Sequence, residues 1–280
     1  VRLHCRWEAP RLDQHPRGGQ DAGMMEHALD RQRTLAGGAP HATEDDPHTA
    51  LAPFQRDPRH PALYPSDGLV LKQTLRDLPR TEGHPSPQNR PEAINFDYAW
   101  FRAHEAREFL PERLEVGARR DLPRTIVRRL ARFHLLDSVR GETPPWREAY
   151  VKEAQLSTAV VAIEGANVHL QLDGTVLNAQ GGTWAIRAFQ EQREGMTRGY
   201  HCRLRGELTF DTVEGAFTRF DLLAIGDRWG GTEHNGRFDD LPPAPMGIAF
   251  QIAGSTPADR TPPHANLWEY FDVPPAQRPK

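Results

Sequence analysis

From Val151 onward, apolar and polar residues alternate with a period of two. Val168, Leu170 and Leu172 interleave with His169, Gln171 and Asp173. Tyr200, Cys202, Leu204, Leu208 and Phe210 interleave in the same way with His201, Arg203, Glu207 and Thr209. Successive strand residues point to opposite sides, so this pattern predicts strands with one face buried and one wet. Glu164-Gly165-Ala166-Asn167 and Asp211–Gly215 separate the runs with turn residues and predict hairpins. Phe217–Ile225 and Met246–Ala253 add further strands, and Leu69–Leu75 an earlier one. Roughly six strands at this spacing predict an antiparallel β-sandwich or an open barrel.

The helical period is clear in one place. Pro123–Leu136 carries Ile126, Val127, Leu130, Phe133 and His134 as an apolar stripe, with Asp121 as the expected N-cap and Pro123 in the first turn. Arg124, Arg128, Arg129 and Arg132 lie off the stripe and, with Arg119 and Arg120, form a basic patch that reads as a solvated face. Phe96, Tyr98, Trp100 and Phe101 read as core aromatics leading into a short helix near Ala103–Phe109. Together these elements predict an α+β fold, mainly antiparallel, with one principal helix and an irregular N-terminal segment. Three segments are expected: 1–60 irregular, 61–150 mixed, and 151–280 an antiparallel β-domain. Within the first, a helix is expected at Ala22–Leu35; within the second, a linker at Thr81–Glu92.

Composition changes this picture at a few points. The 280 residues are only 38% apolar and include 25 prolines and 23 glycines, so long irregular segments accompany the folded body. A formal charge of -3 argues against nucleic acid or an anionic membrane as partner. Lys72, Lys152 and Lys280 are the lysines, so 32 of 35 basic residues are arginine, a bias that discounts every local arginine cluster. Cys5 and Cys202 are far apart and match no metal or disulfide framework; Cys202 falls on the apolar side of its strand. No stretch reaches the roughly 18 apolar residues of a membrane span. No secretory signal is evident, which makes a cytoplasmic protein the default; the start at Val1 keeps a processed, exported chain as the alternative.

Leu75–Arg80, Asp97-Tyr98-Ala99-Trp100-Phe101, Val127–Leu135, Arg228-Trp229-Gly230-Gly231-Thr232 and Pro243–Gly247 carry a resemblance. Over about residues 69–253 the chain resembles a family of uncharacterised bacterial proteins. The resemblance implies no activity.

Candidate chemistry concentrates in Gly226–Asp240, where four glycines surround Trp229, Glu233, His234, Asp239 and Asp240. Glycines let a loop aim neighbouring side chains. A histidine with carboxylates suits a divalent metal, with His234 and Asp239 as the first ligands to consider and His169 or His201 as a second histidine. A metal-dependent hydrolase would use His234, Glu233, Asp239 and Asp240 as its catalytic set. No phosphate loop, dinucleotide fingerprint or nucleophile elbow accompanies them. Trp184 and Trp229 each adjoin a glycine pair and could form a stacking platform, with Arg228 and Asn235 as polar contacts. Binding needs fewer coincidences of geometry than catalysis. The expected function is therefore a non-catalytic domain that binds a small ligand or another protein, with the hydrolase as the alternative.

Overall fold

The computed structural model describes residues 63–80, 93–187 and 190–278. The expected Ala22–Leu35 helix, the Thr81–Glu92 linker and Cys5 lie outside them. Eight strands form one antiparallel sheet: β1 (Leu69–Asp77), β2 (Ile94–Phe101), β3 (Arg119–Asp121), β4 (Val151–Glu164), β5 (Asn167–Trp184), β6 (Arg193–Asp211), β7 (Ala216–Trp229) and β8 (Ala244–Ile252). Their order is β2-β1-β8-β7-β6-β5-β4-β3. The sheet is thus a meander from β4 to β8, extended by β1 and β2 at one edge and closed off by the short β3 at the other. It is continuous, so of the two architectures predicted the open barrel is the closer. Strands before and after residue 150 share it.

Alternation explains which side is inside. Leu170, Leu172 and Val176 of β5, Tyr200, Cys202 and Leu204 of β6, and Leu222 and Ala224 of β7 are all buried on one face. The hairpins turn at Gly165 and Gly215, whose φ of 60° and 68° suit glycine. The principal helix has its α-helical part, α2, at Arg124–Arg129, following α1 (Ala103–Arg107), and continues as a π-turn, Leu130–His134. Its predicted stripe is buried throughout: Ile126, Val127, Leu130, Phe133 and His134. Two details differ from expectation. Asp121 belongs to β3 and Pro123 is the N-cap, without a side-chain cap bond. Arg129 is buried rather than solvated, because Glu105 of α1 receives its guanidinium and the rings of Tyr270 and Phe271 lie beneath it.

The curl of the sheet follows from two hydrogen bonds. Gln73 on β1 donates to the His134 carbonyl at 2.7 Å, and Asn178 on β5 to the adjacent Leu135 carbonyl at 3.0 Å. Those strands are four apart, roughly 19 Å in a flat sheet at about 4.8 Å per strand. Side chains standing perpendicular to a sheet reach neighbouring carbonyls only if the sheet bends round the helix. The interior is therefore filled by the helix and side chains.

The β2 edge is covered. In α3 (Leu267–Tyr270), the Tyr270 hydroxyl accepts the Trp100 N–H at 3.0 Å and lies 2.8 Å from His134 Nε2. Covering an edge in this way removes a template for pairing with another chain.

Candidate functional site

The glycine-rich loop leaves β7 and crosses back over the inner face. Gly230, at φ 78°, makes the turn; a side chain there would collide with the Thr197 carbonyl at 2.0 Å. Asn235 closes the next turn by accepting the Thr232 N–H at 2.9 Å, and Gly236 takes φ 64° beside Arg140. Arg237 then inserts into the interior with no exposure.

Arg237 is the hub of a buried ionic network. Its guanidinium donates to Asp137 through Nε and Nη2, both at 2.8 Å, and to Asp77 through Nη1 and Nη2 at 2.9 and 2.7 Å. Asp240 takes a bidentate pair from Arg80 at 2.7 and 2.8 Å and further bonds from Arg228. Arg140 bonds Asp77 at 2.8 Å and lies 3.2 Å from Asp240. Burial would raise the Asp240 carboxyl, but hydrogen bonds from Arg80 and Arg228 hold it well below the usual carboxylate range. Burial opposes ionisation of Asp77 too, and Arg237 lowers it. Burial likewise works against the Arg237 charge, but Asp137 and Asp77 keep it firmly protonated. Four guanidiniums thus meet three carboxylates, and all three carboxylates are occupied by protein.

This network decides where the sequence-derived candidates fall. Arg228, Asn235 and Asp240 are buried, with Arg228 at 0% exposure, and their polar groups serve the loop itself. Asp239, the residue before Asp240, faces solvent. Glu233 and His234 are exposed and pair with each other at 3.2 Å. Trp184 and Trp229 lie on opposite faces. Trp184 points inward and donates its indole N–H to the Gly231 carbonyl at 2.7 Å. Trp229 points outward and lies over Gly199, where a Cβ would meet its ring at 2.1 Å. They form no common platform.

The histidines do not converge either. His169 pairs in register with Thr209 and His201 with Leu177. On β6 those positions are eight residues apart, about 26 Å at strand rise. Among the described residues no three His, Cys, Asp or Glu side chains gather as a metal site. Cys202 is a free, buried thiol, pushed up to about 12 by burial.

A second polar constellation lies under the helix. His134 is fully buried, and burial with the nearby Arg129 lowers it to about 3. Gln73 already donates through Nε2, so its Oε1, 2.9 Å from Nδ1, accepts the imidazole proton; Nε2 then accepts from Tyr270. The ring is neutral and every polar atom is satisfied. Asp97 lies 3.7 Å from Nδ1, too far for a hydrogen bond, and burial raises its carboxyl to about 6. Arg198 stacks on Trp146 at 4.3 Å and donates to Gln180; burial lowers it to about 10.

The outer face presents what the sequence reading did not single out. Strand register sets two rows side by side: Phe96, Thr74, Ala249 and Leu223, then Ile94, Arg76, Gly247 and Ile225. Phe96 is 54% exposed, Ile225 49%, Ile94 48% and Leu223 40%. Leu78 lies over Gly247 in the middle of the second row. Arg205 and Arg203 continue the two rows on β6. A readable signal existed: Leu222-Leu223-Ala224-Ile225 is apolar at both parities, unlike β6 beside it.

No family model, no curated protein and no solved structure matches the chain. The resemblance of residues 69–253 to an uncharacterised bacterial family is accordingly corrected: no family is matched. Its motifs have local explanations instead. Asp77 and Arg80 anchor the loop, Asp97–Phe101 forms part of β2, and Arg228 with Gly230 builds the network and the turn.

Proposed function

We propose that this chain is a non-catalytic binding domain whose partner-contacting surface is the outer face of β2, β1, β8 and β7. The observation that carries this reading is the alignment of Phe96, Leu223, Ile94 and Ile225 in two adjacent rows, exposed rather than packed. Single exposed apolar residues are ordinary, but two pairs on β2 and β7 in the same rows, joined by Ala249 and the Leu78 side chain and interrupted by Thr74 and Arg76 of β1, make a patch of the kind that marks an interaction surface. Support also comes from the interior, which is filled by the helix, leaving the residues of the buried network engaged with one another. The described helices are too short and polar to cross a membrane. The metal-dependent hydrolase built on His234, Glu233, Asp239 and Asp240 draws no comparable support, since Asp240 is committed to Arg80 and Arg228.

A photo-crosslinking residue at position 223 tests the reading in cells that express the protein. We expect one discrete adduct, lost when Ile225→Glu is added, and none from the same probe at position 171 on the outer face of β5. No adduct at 223, or equal labelling at both positions, would overturn it.

A further inference from the structure

We infer that the partner of this face is an acidic, apolar segment of another protein, a chain that alternates or clusters aliphatic side chains with Asp or Glu. The inference rests on the binding-domain reading and adds the chemistry of what binds.

The argument starts from charge along the two rows. After the apolar positions on β2, β8 and β7, the next residues on the same face are Arg205, opposite Leu223, and Arg203, opposite Ile225. Both are exposed, and among the described residues neither forms an ion pair; Asp173 stands opposite Arg205 without closing on it. Two of the nearby acids are engaged elsewhere, while Asp227, two residues beyond Ile225 on β7, is exposed on the same face. Arg219 holds Asp221 at 2.6 Å and Glu207 at 2.8 Å. On the other side of the rows Lys72 lies over the Phe96 ring at 4.9 Å, so its cation also borders the apolar surface. The apolar strip is thus bordered on β6 by Arg203 and Arg205, exposed and without an ion pair among the described residues, while Lys72 on the other side also acts on Asp259.

Two other occupants fit less well. A second copy of the chain, docked by a two-fold axis, would set this face against itself and bring Arg203 and Arg205 towards like charges. An anionic bilayer would meet Asp173, Glu207 and Asp221 in the same plane, on a chain whose formal charge is -3. A discrete acidic segment can lie along the cations and avoid those carboxylates. Electrostatic complementarity of this kind steers association and weakens with salt.

Fluorescence anisotropy on the whole protein tests this with two labelled peptides, one alternating leucine and glutamate, the other leucine and lysine. We expect the glutamate peptide to bind at least tenfold more tightly, and several-fold less tightly when salt is raised from low to half-molar. In R203E/R205E the preference should reverse, while an unchanged circular-dichroism melt certifies the fold. Equal binding of the two peptides that is lost in L223S/I225S would sink the acidic partner yet leave the binding face standing. Absence of binding by the glutamate peptide, or a preference unaltered in R203E/R205E, also overturns the inference. Phosphatidylserine vesicles that bind where the glutamate peptide does not would assign the face to a lipid surface instead.

Discussion

Arg237 is the residue on which the glycine-rich loop depends. Removing it leaves Asp77 and Asp137 buried without their main cation, and breaking a buried pair on one side costs about 3–5 kcal/mol. Arg237→Ala should lower the unfolding free energy by that order in urea titration; a loss below about 1 kcal/mol would mean that the network contributes little. Acid should act on the same groups. Asp77 and Asp240 have depressed carboxyls, so the stability they contribute is present above about pH 4, the ordinary unfolded value, and is lost as pH falls below it. His134, lowered to about 3 from its ordinary 6.5, loses its contribution as pH falls from the latter towards the former. Asp97 has the opposite sign: raised to about 6, it stabilises below the unfolded carboxyl value, and that contribution vanishes as pH rises through about 6. Asp97→Asn should therefore be more stable than the parent at pH 7, with the gap narrowing by pH 4. Melting temperatures across that range check both signs.

At the scale of elements, the sheet is held by close approaches that admit no extra atom. Gly199 of β6 lies beneath the Trp229 ring, with space for no Cβ. Gly199→Ala should push the indole outward, shift tryptophan fluorescence to the red and cost about 1–3 kcal/mol, as overpacking does. An unchanged spectrum would mean that the ring does not rest there. Much of this scale was legible: β5 and β6 follow from alternation, β7 and β8 from further apolar runs, and the buried stripe of the helix from its 3.6-residue period. Strand β2 is hidden in the sequence, because Phe96, Tyr98, Trp100 and Phe101 give large aromatics on both faces and mask the period. In the structure Trp100 packs with Tyr270 and Val70 on one side, while Phe101 packs with Phe109 on the other.

For the molecule as a whole, the open edge is the exposed liability. Tyr270 and the segment around it cover β2, and His264 donates its backbone N–H to Asp97 at 2.9 Å. Deleting residues 257–280 should free the edge and produce concentration-dependent oligomers in light scattering. A strictly monomeric truncation would show that the cover is dispensable. The same scale explains the loop candidates. Arg228, Asn235, Asp240 and Trp184 looked like a site because they are polar or aromatic residues beside glycines. Arg228 and Asn235 bond within the loop, whereas Asp240 meets Arg80, Trp184 meets Gly231 and the neighbouring Arg237 meets Asp77 and Asp137 across elements that only folding brings together.

The sequence by itself determined the strands with one wet face, the hairpin turns, the apolar stripe of the helix and the burial of Cys202. Each depends on periodicity or on a backbone demand that a few neighbouring residues express. Tertiary structure alone decided which charges would be paired, which tryptophan faced inward and which aliphatic side chains stayed exposed. Those outcomes depend on strand order and on the curl of the sheet. Asp77, Asp137 and Arg237 are separated by 60 and 100 residues along the chain, yet they meet at hydrogen-bond distance. Leu223 and Phe96 share a surface only because β8 and β1 lie between their strands. Local pattern carries no information about pairing across such separations, because it records which side a residue faces and not what lies opposite.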